Sequence, residues 1–194
     1  MPSRAETRER SRRALITAAI DLIAAQGYRA ATVEAIAAKA GLTTGAVYSG
    51  FGGKRELFAA AVEHCRAERP LDLSGDTPVE VLRNFGTAMA AAGSTSDTRR
   101  LFRFEAELAP LVLHDPVFAE RLSADPMVDA LTEALVGTGV TQHHAERVAM
   151  SAAALARGLL QQWLLRGAEV DAELVTTACG ALAGLLELEG LRGV

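Results

Sequence analysis

The sequence predicts an all-α fold in two parts, and three observations carry that reading. Apolar residues recur at helical spacing along nearly the whole chain, and no segment reads as a strand. Capping threonines, glycines and prolines punctuate the helical stretches at short intervals. A break rich in Pro, Asp, Ser and Gly runs from Pro70 to Pro78. At 194 residues, 49% of them hydrophobic, the chain holds enough apolar material for a small domain and a medium one. We place a three-helix helix-turn-helix domain at 1–69, a linker at 70–77 and a second helical domain at 78–194.

The first helix is expected over about 6–25, with Leu15, Ala19, Leu22 and Ile23 on one side. Thr32 caps the next, which carries Val33, Ile36, Ala37 and Ala40 on one face. Gly41 supplies a left-handed stop. Thr43 then caps a very short helix of small side chains, ended by glycines at 50, 52 and 53. A helix, a tight turn and a second small-surfaced helix, together about 33–52, form a helix-turn-helix, whose second helix reads base edges in the DNA major groove. A fourth helix is expected over 54–69, with Leu57, Ala61 and Cys65 in register. Beyond the linker, Thr77 caps and Pro78 opens a helix over 78–92. Others follow at 97–113, 116–136 with a break or kink at Pro126, 142–166 and 171–191.

The stretch from about Arg8 to Glu63 resembles the DNA-binding domain of the TetR family of bacterial transcriptional regulators. The matching features are an amphipathic first helix ending in Gly27-Tyr28, the Thr32 to Ala40 helix, Ala40-Gly41-Leu42-Thr43, and Tyr48, Phe51, Lys54 and Leu57 at their mutual spacing. They cover roughly the first third of the chain. Gly50 and Gly52-Gly53 depart mildly, since the family commonly has a bulkier polar residue at the first place and a helix-capping residue just before the lysine.

Charge is unevenly placed. Residues 1–69 hold 11 Lys or Arg against 7 Asp or Glu, a net of +4, whereas 70–194 hold 9 against 17, a net of −8. That asymmetry suits a polyanionic partner for the first part only. Arg4, Arg8, Arg10, Arg12 and Arg13 lead straight into a helix without an apolar signal core, and no stretch reads as membrane-spanning, so the expectation is a cytoplasmic protein with no membrane partner. Cys65 and Cys179, far apart and without ligand neighbours, read as reduced buried thiols.

A recognition helix must bring its backbone close to the bases. Gly45 and Ala46 remove bulk, while Thr43, Thr44 and Ser49 offer hydrogen-bonding hydroxyls, and Ala46 or the Thr44 methyl suits a thymine methyl. Tyr48 is placed to reach a phosphate. Lys54 puts a cation at a helix N-terminus, which a nearby anion such as a phosphate would favour. Thr32, with the amides it caps, is a second candidate phosphate site. Arg4, Arg8 and Arg12 fall at helical spacing and read either as a phosphate track, as a flexible minor-groove arm, or as a solvated terminus diluted by Glu6 and Glu9.

The last two helices are apolar on more than one face: Leu155, Leu159, Leu160, Trp163 and Leu164 in one, Leu174, Ala178, Leu182, Leu185 and Leu186 in the other, with Gly180 and Gly184 permitting close approach. Two apolar faces need two burial partners, either a thick monomeric core or the same surface on a second subunit. The resemblance implies the second, a homodimer with Leu159, Trp163, Ala178, Leu182 and Leu185 at its interface. It also implies a ligand pocket among the central helices, for which Phe85, Met89, Phe102, Glu105, Leu108, Met127, Met150 and Trp163 are candidate lining residues, although such stripes also build cores. No cofactor is expected. His143 and His144 are adjacent and face different directions, so no metal site is expected either.

These readings converge on a ligand-responsive regulator that binds a double-stranded palindromic operator as a homodimer and is released by a small apolar or amphipathic effector. One alternative is a helix-turn-helix protein that organises DNA or contacts another protein without sensing a ligand. Another is a helical-bundle enzyme using Glu105, Glu107, Asp115 or Asp129, but no Glu-x-x-His pair, Ser/His/Asp set or phosphate-cradling motif supports catalysis.

Overall fold

The computed structural model describes residues 3–67 and 71–186, apart from the side chains of 67, 96–98, 108, 109 and 121. All regular structure among them is helical. The chain forms two compact units, one of Met1–Glu68 with Arg100–Ala124 and one of Arg69–Arg99 with Asp125–Val194.

The first unit begins with α1 (Arg4–Gln26), α2 (Val33–Lys39), α3 (Thr44–Phe51) and α4 (Lys54–Ala67). The helix α1 starts two residues earlier than the apolar pattern suggests, because Ser3 and Glu6 form a reciprocal capping box that satisfies both ends of that turn. Its inner face, with Leu15, Ile16, Ala19 and Ile23, packs on α4 and α2. Gly41 at φ +68° turns the chain between α2 and α3, a conformation that costs other residues appreciably more. Val47 is completely buried and pins α3 onto this core.

The core is completed from further along the sequence. Phe58 on α4 touches Tyr28 at 5.0 Å between ring centroids, Phe104 at 4.9 Å and Phe118 at 5.8 Å. Residues 100–124, placed with the second domain by the sequence, therefore pack in the first unit, because Phe104, Phe118 and Leu122 belong to its core. The expected helix 97–113 is also divided, into α6 (Ser96–Ala106) and α7 (Leu108–His114), and 116–136 into α8 (Pro116–Arg121) and α9 (Pro126–Gly137). Asp115 and Asp125 each precede a proline and cap the helix it opens, accepting from Phe118 N and Met127 N. Proline and cap act together as a start signal, so the second stretch is broken outright.

The second unit contains α5 (Pro78–Gly93), α9, α10 (Gln142–Arg166) and α11 (Ala172–Ala181). Thr77 and Glu80 form a second capping box at the start of α5. The helix expected over 171–191 is interrupted by a turn at Leu182 and Ala183, and 187–191 lie outside the described residues. Arg157, the one charge in the apolar run of α10, reaches the Asp125 carboxylate at 2.5 Å. Burial pushes the Cys179 thiol up to about 11, which leaves it protonated at neutral pH. Both cysteines are buried, and neither forms a disulfide.

Close packing of α5 on α11 depends on glycine. A Cβ at Gly86 would lie 2.9 Å from the Thr176 Cα and 2.9 Å from the Val175 carbonyl oxygen, both backbone atoms that cannot swing aside. Gly86→Ala is expected to destabilise the protein by about 1–2 kcal/mol despite the better helix propensity of alanine. Chemical denaturation measures it, and an unchanged midpoint would show that α11 yields freely.

Candidate nucleic-acid interface

Burial of Val47 decides which side of α3 is presented. Gly45, Tyr48 and Ser49 are exposed and Thr44 and Ala46 half-buried, so the small and hydroxyl-bearing residues line the outer side. Tyr48 stands 57% exposed, the largest side chain on that surface. Thr43 occupies the N-cap position in extended conformation, yet its hydroxyl makes no capping bond. The expectation that it caps through its side chain is therefore not met. Ser49 donates to the Ala46 carbonyl at 3.3 Å. At the start of α2 the Thr32 hydroxyl accepts from Ala35 N at 3.1 Å and keeps its own proton available.

Lys54 is held differently from the sequence expectation. Its ammonium donates to the Tyr28 carbonyl and, at 3.5 Å, to the Arg29 carbonyl, and lies 4.2 Å from the centroid of the Tyr28 ring. Carbonyl dipoles and a ring face thus answer the unfavourable placement of a cation at the start of α4, without an external anion. Partial burial pulls its pKa below the usual lysine value.

The other side of Tyr28 is held by a residue that sequence reasoning did not connect to this site. Its backbone N–H donates to the Glu107 carboxylate at 2.8 Å, across 79 positions of sequence. A second long-range link runs through Asp21, which accepts from Arg100 and pairs with Lys39 on α2 at 3.3 Å. No local pattern signals either contact, since acids in these helices look like ordinary surface charge. Glu107 and Asp115, considered above as catalytic carboxylates, have structural partners instead, Asp115 pairing with Arg55 at 2.8 Å. Among the described residues no three His, Cys, Asp or Glu side chains form a metal-binding group.

Comparison with known proteins agrees with this geometry. Residues 15–61 match the family model described as bacterial regulatory proteins, tetR family. The HTH-type transcriptional regulator SrpR of Pseudomonas putida is 40% identical over 72 residues, 37% of this chain and 34% of that protein, so the match spans only about a third of the relative's length. The N-terminal part of the chain thus carries a segment similar to the TetR-family domain. A transcriptional regulator from Rhodococcus sp. Rha1 has the same architecture, with a TM-score of 0.69 at 25% identity over 92% of this chain and 96% of that one. The multidrug binding protein EbrR, solved with proflavin, shares the fold at a TM-score of 0.57 and 17% identity, over 89% of this chain and 99% of that one.

Residues 15–61 are thus similar to the helix-turn-helix domain of such regulators. The second unit keeps some expected residues together and separates others. Phe85, Met89 and Met127 are buried there, while Trp163 is half-buried. Met150, expected to line a cavity, is 64% exposed, because it lies on the side of α10 turned away from Val148 and Ala149. Phe102, Glu105 and Leu108 fall in the first unit, and the Leu108 side chain lies outside the described residues. Of the expected interface residues, Leu159, Ala178 and Leu182 are half-buried and Leu185 is 39% exposed. Among the described residues no helix is long and apolar enough to cross a membrane.

Because Lys54 and Glu107 hold opposite sides of one residue, both should matter to folding. Glu107→Ala leaves a half-buried N–H without its partner and should lower stability by about 1–2 kcal/mol, and Lys54→Ala by about 1 kcal/mol. Thermal melts of the free protein measure both. A solvated lysine would leave the melt unchanged.

Proposed function

We propose that this chain is a TetR-family regulator, a homodimeric repressor that binds a palindromic operator and is released by a small apolar or amphipathic molecule. The single observation that carries the reading is the presented side of α3, small and hydroxyl-rich around Gly45 and Ala46, with its opposite side fixed by Val47. Backbone proximity to the bases needs just such a surface. Thr43, Thr44 and Ser49 make the base and adjacent phosphate contacts, Ala46 meets a thymine methyl, and Tyr48, Thr32 and Lys54 position the phosphate backbone. Lys54 can do so while held by Tyr28, since an ammonium has three donors.

Dimerisation is supported by apolar side chains left exposed on the last two described helices and the turn after them: Leu165 at 72%, Leu174 at 47% and Leu185 at 39%. A second copy covering them places two recognition helices on successive turns of duplex, which is why the operator is an inverted repeat. The effector site is built in the second unit around Phe85, Met89, Met127 and Trp163. EbrR, which has this fold and was solved with proflavin, supports an amphipathic ligand. Ligand and operator favour different arrangements of the two helix-turn-helix domains, so each weakens the other by the same factor. The protein acts in the cytoplasm, and no step requires a cofactor or a catalytic group.

Selection from a random duplex library with the full chain should return an inverted repeat, bound with an affinity that falls steeply with salt. A single non-palindromic site would refute the dimeric reading. Leu182→Glu with Leu185→Glu should give monomers in ultracentrifugation and binding at least about ten-fold weaker, because the half-sites are no longer linked. Amphipathic cations such as proflavin should raise the melting temperature and release the selected DNA. Stabilisation without release would favour instead a DNA-organising protein that senses no ligand.

A further inference from the structure

The N-terminal arginines, ambiguous in the sequence, are ordered by the fold. The helix begins at Arg4, so Arg4, Arg8 and Arg12 stand on successive turns of one rigid element and cannot serve as a flexible arm. They line a cleft of about 420 Å³ between α1 and the C-terminal half of α3, with Thr7, Ser11 and Ser49 adding hydroxyls and Leu15, Ala46 and Phe51 an apolar floor. No acidic residue lines it. The acids that dilute the charge in the sequence are turned to the other side of α1, where Glu6 caps Ser3 and Glu9 pairs with Arg13 at 3.1 Å. Arg12 lies over the Phe51 ring at 5.0 Å, which fixes its direction, while Arg4 and Arg8 have no ion pair or hydrogen bond among the described residues.

We propose that this cleft seats the DNA sugar-phosphate backbone beside the groove that α3 enters, with Arg8 and Arg12 as the phosphate ligands and Arg4 extending the track. The inference rests on the DNA-binding reading and deepens it. Continuity selects this partner over a free anion, because Ala46 and Ser49 belong both to the recognition helix and to the cleft wall. A duplex whose groove is occupied by α3 must therefore pass its backbone close to this wall. Guanidinium groups suit the task, since they stay charged and present forked donors to phosphate oxygens. The contact carries no sequence information and sets register and affinity only.

The test compares two double variants with the same loss of charge on opposite faces of α1. Binding of the full chain to a fluorescent mixed-sequence duplex of about 30 base pairs, and to a duplex obtained by selection, is followed by anisotropy between about 50 and 300 mM KCl. Arg4→Gln with Arg8→Gln should reduce the slope of log affinity against log salt by roughly 1–2 and weaken binding at least about ten-fold near 100 mM, without changing the selected sequence. Arg10→Gln with Arg13→Gln, on the far face, should leave the slope nearly unchanged. Circular dichroism confirms that all variants fold. Equal losses in both variants would mean diffuse attraction and would overturn the cleft as a seat. Unchanged binding in the first variant, with the wild type binding normally, would overturn it while leaving the DNA-binding reading intact. If the folded wild type binds neither duplex at any salt, that reading fails and the seat falls with it.

Discussion

Tyr28 is the point on which the first unit turns. Its ring meets Phe58, its N–H is taken by Glu107, and its carbonyl by Lys54. Two stretches distant in sequence, α4 and the residue between α6 and α7, thus converge on one residue of the short loop between α1 and α2. That loop sets where α2 begins, α2 sets the turn at Gly41, and the turn aims α3. A helix-turn-helix of seven- and eight-residue helices has little stability of its own, because helices this short are marginal in water. Its orientation is borrowed from the surrounding packing.

The same economy appears in the charges. The side of α1 that faces the cleft carries three arginines and no acid, while the opposite side balances Arg10 and Arg13 against Glu6 and Glu9. A net charge of +4 over 69 residues gives little hint of such sorting. Field strength at a surface depends on which charges share a face, and folding separates them within two turns of helix. Asp21 illustrates the converse. It is an acid inside a basic domain, and it gathers Arg100 and Lys39 into one partly shielded cluster that ties α1 to α2.

Much of the architecture was legible in the sequence because it is local. The cap at Thr77 follows from a side chain just before a proline-led helix, and the stops at Gly41 and Gly52 from the need for positive φ, whereas the equally local Ser3-Glu6 box was overlooked. The helix-turn-helix could be read for the same reason. What else escaped was non-local. Nothing near Phe104 or Phe118 announces that they complete a core built around Phe58, so residues 100–124 read as part of the second domain. Helical periodicity shows that a face is buried but not against what, which is also why Met150 could be mistaken for an interior residue. Lys54 was singled out for its unfavourable helix position, a sound signal with an unforeseen answer, since the compensating dipoles come from a loop 25 residues earlier.

The contact between α5 and α11 has its own mechanical meaning. With backbone atoms waiting 2.9 Å from where a Cβ at Gly86 would sit, and with the Arg83 stem 2.6 Å from the corresponding point at Gly180, the two helices are meshed like gear teeth at two places. Meshed surfaces resist sliding and rolling far more than separation. Any rearrangement of the second unit will carry α5 and α11 together as a single beam, leaving the slack to be taken up where side chains alone intervene.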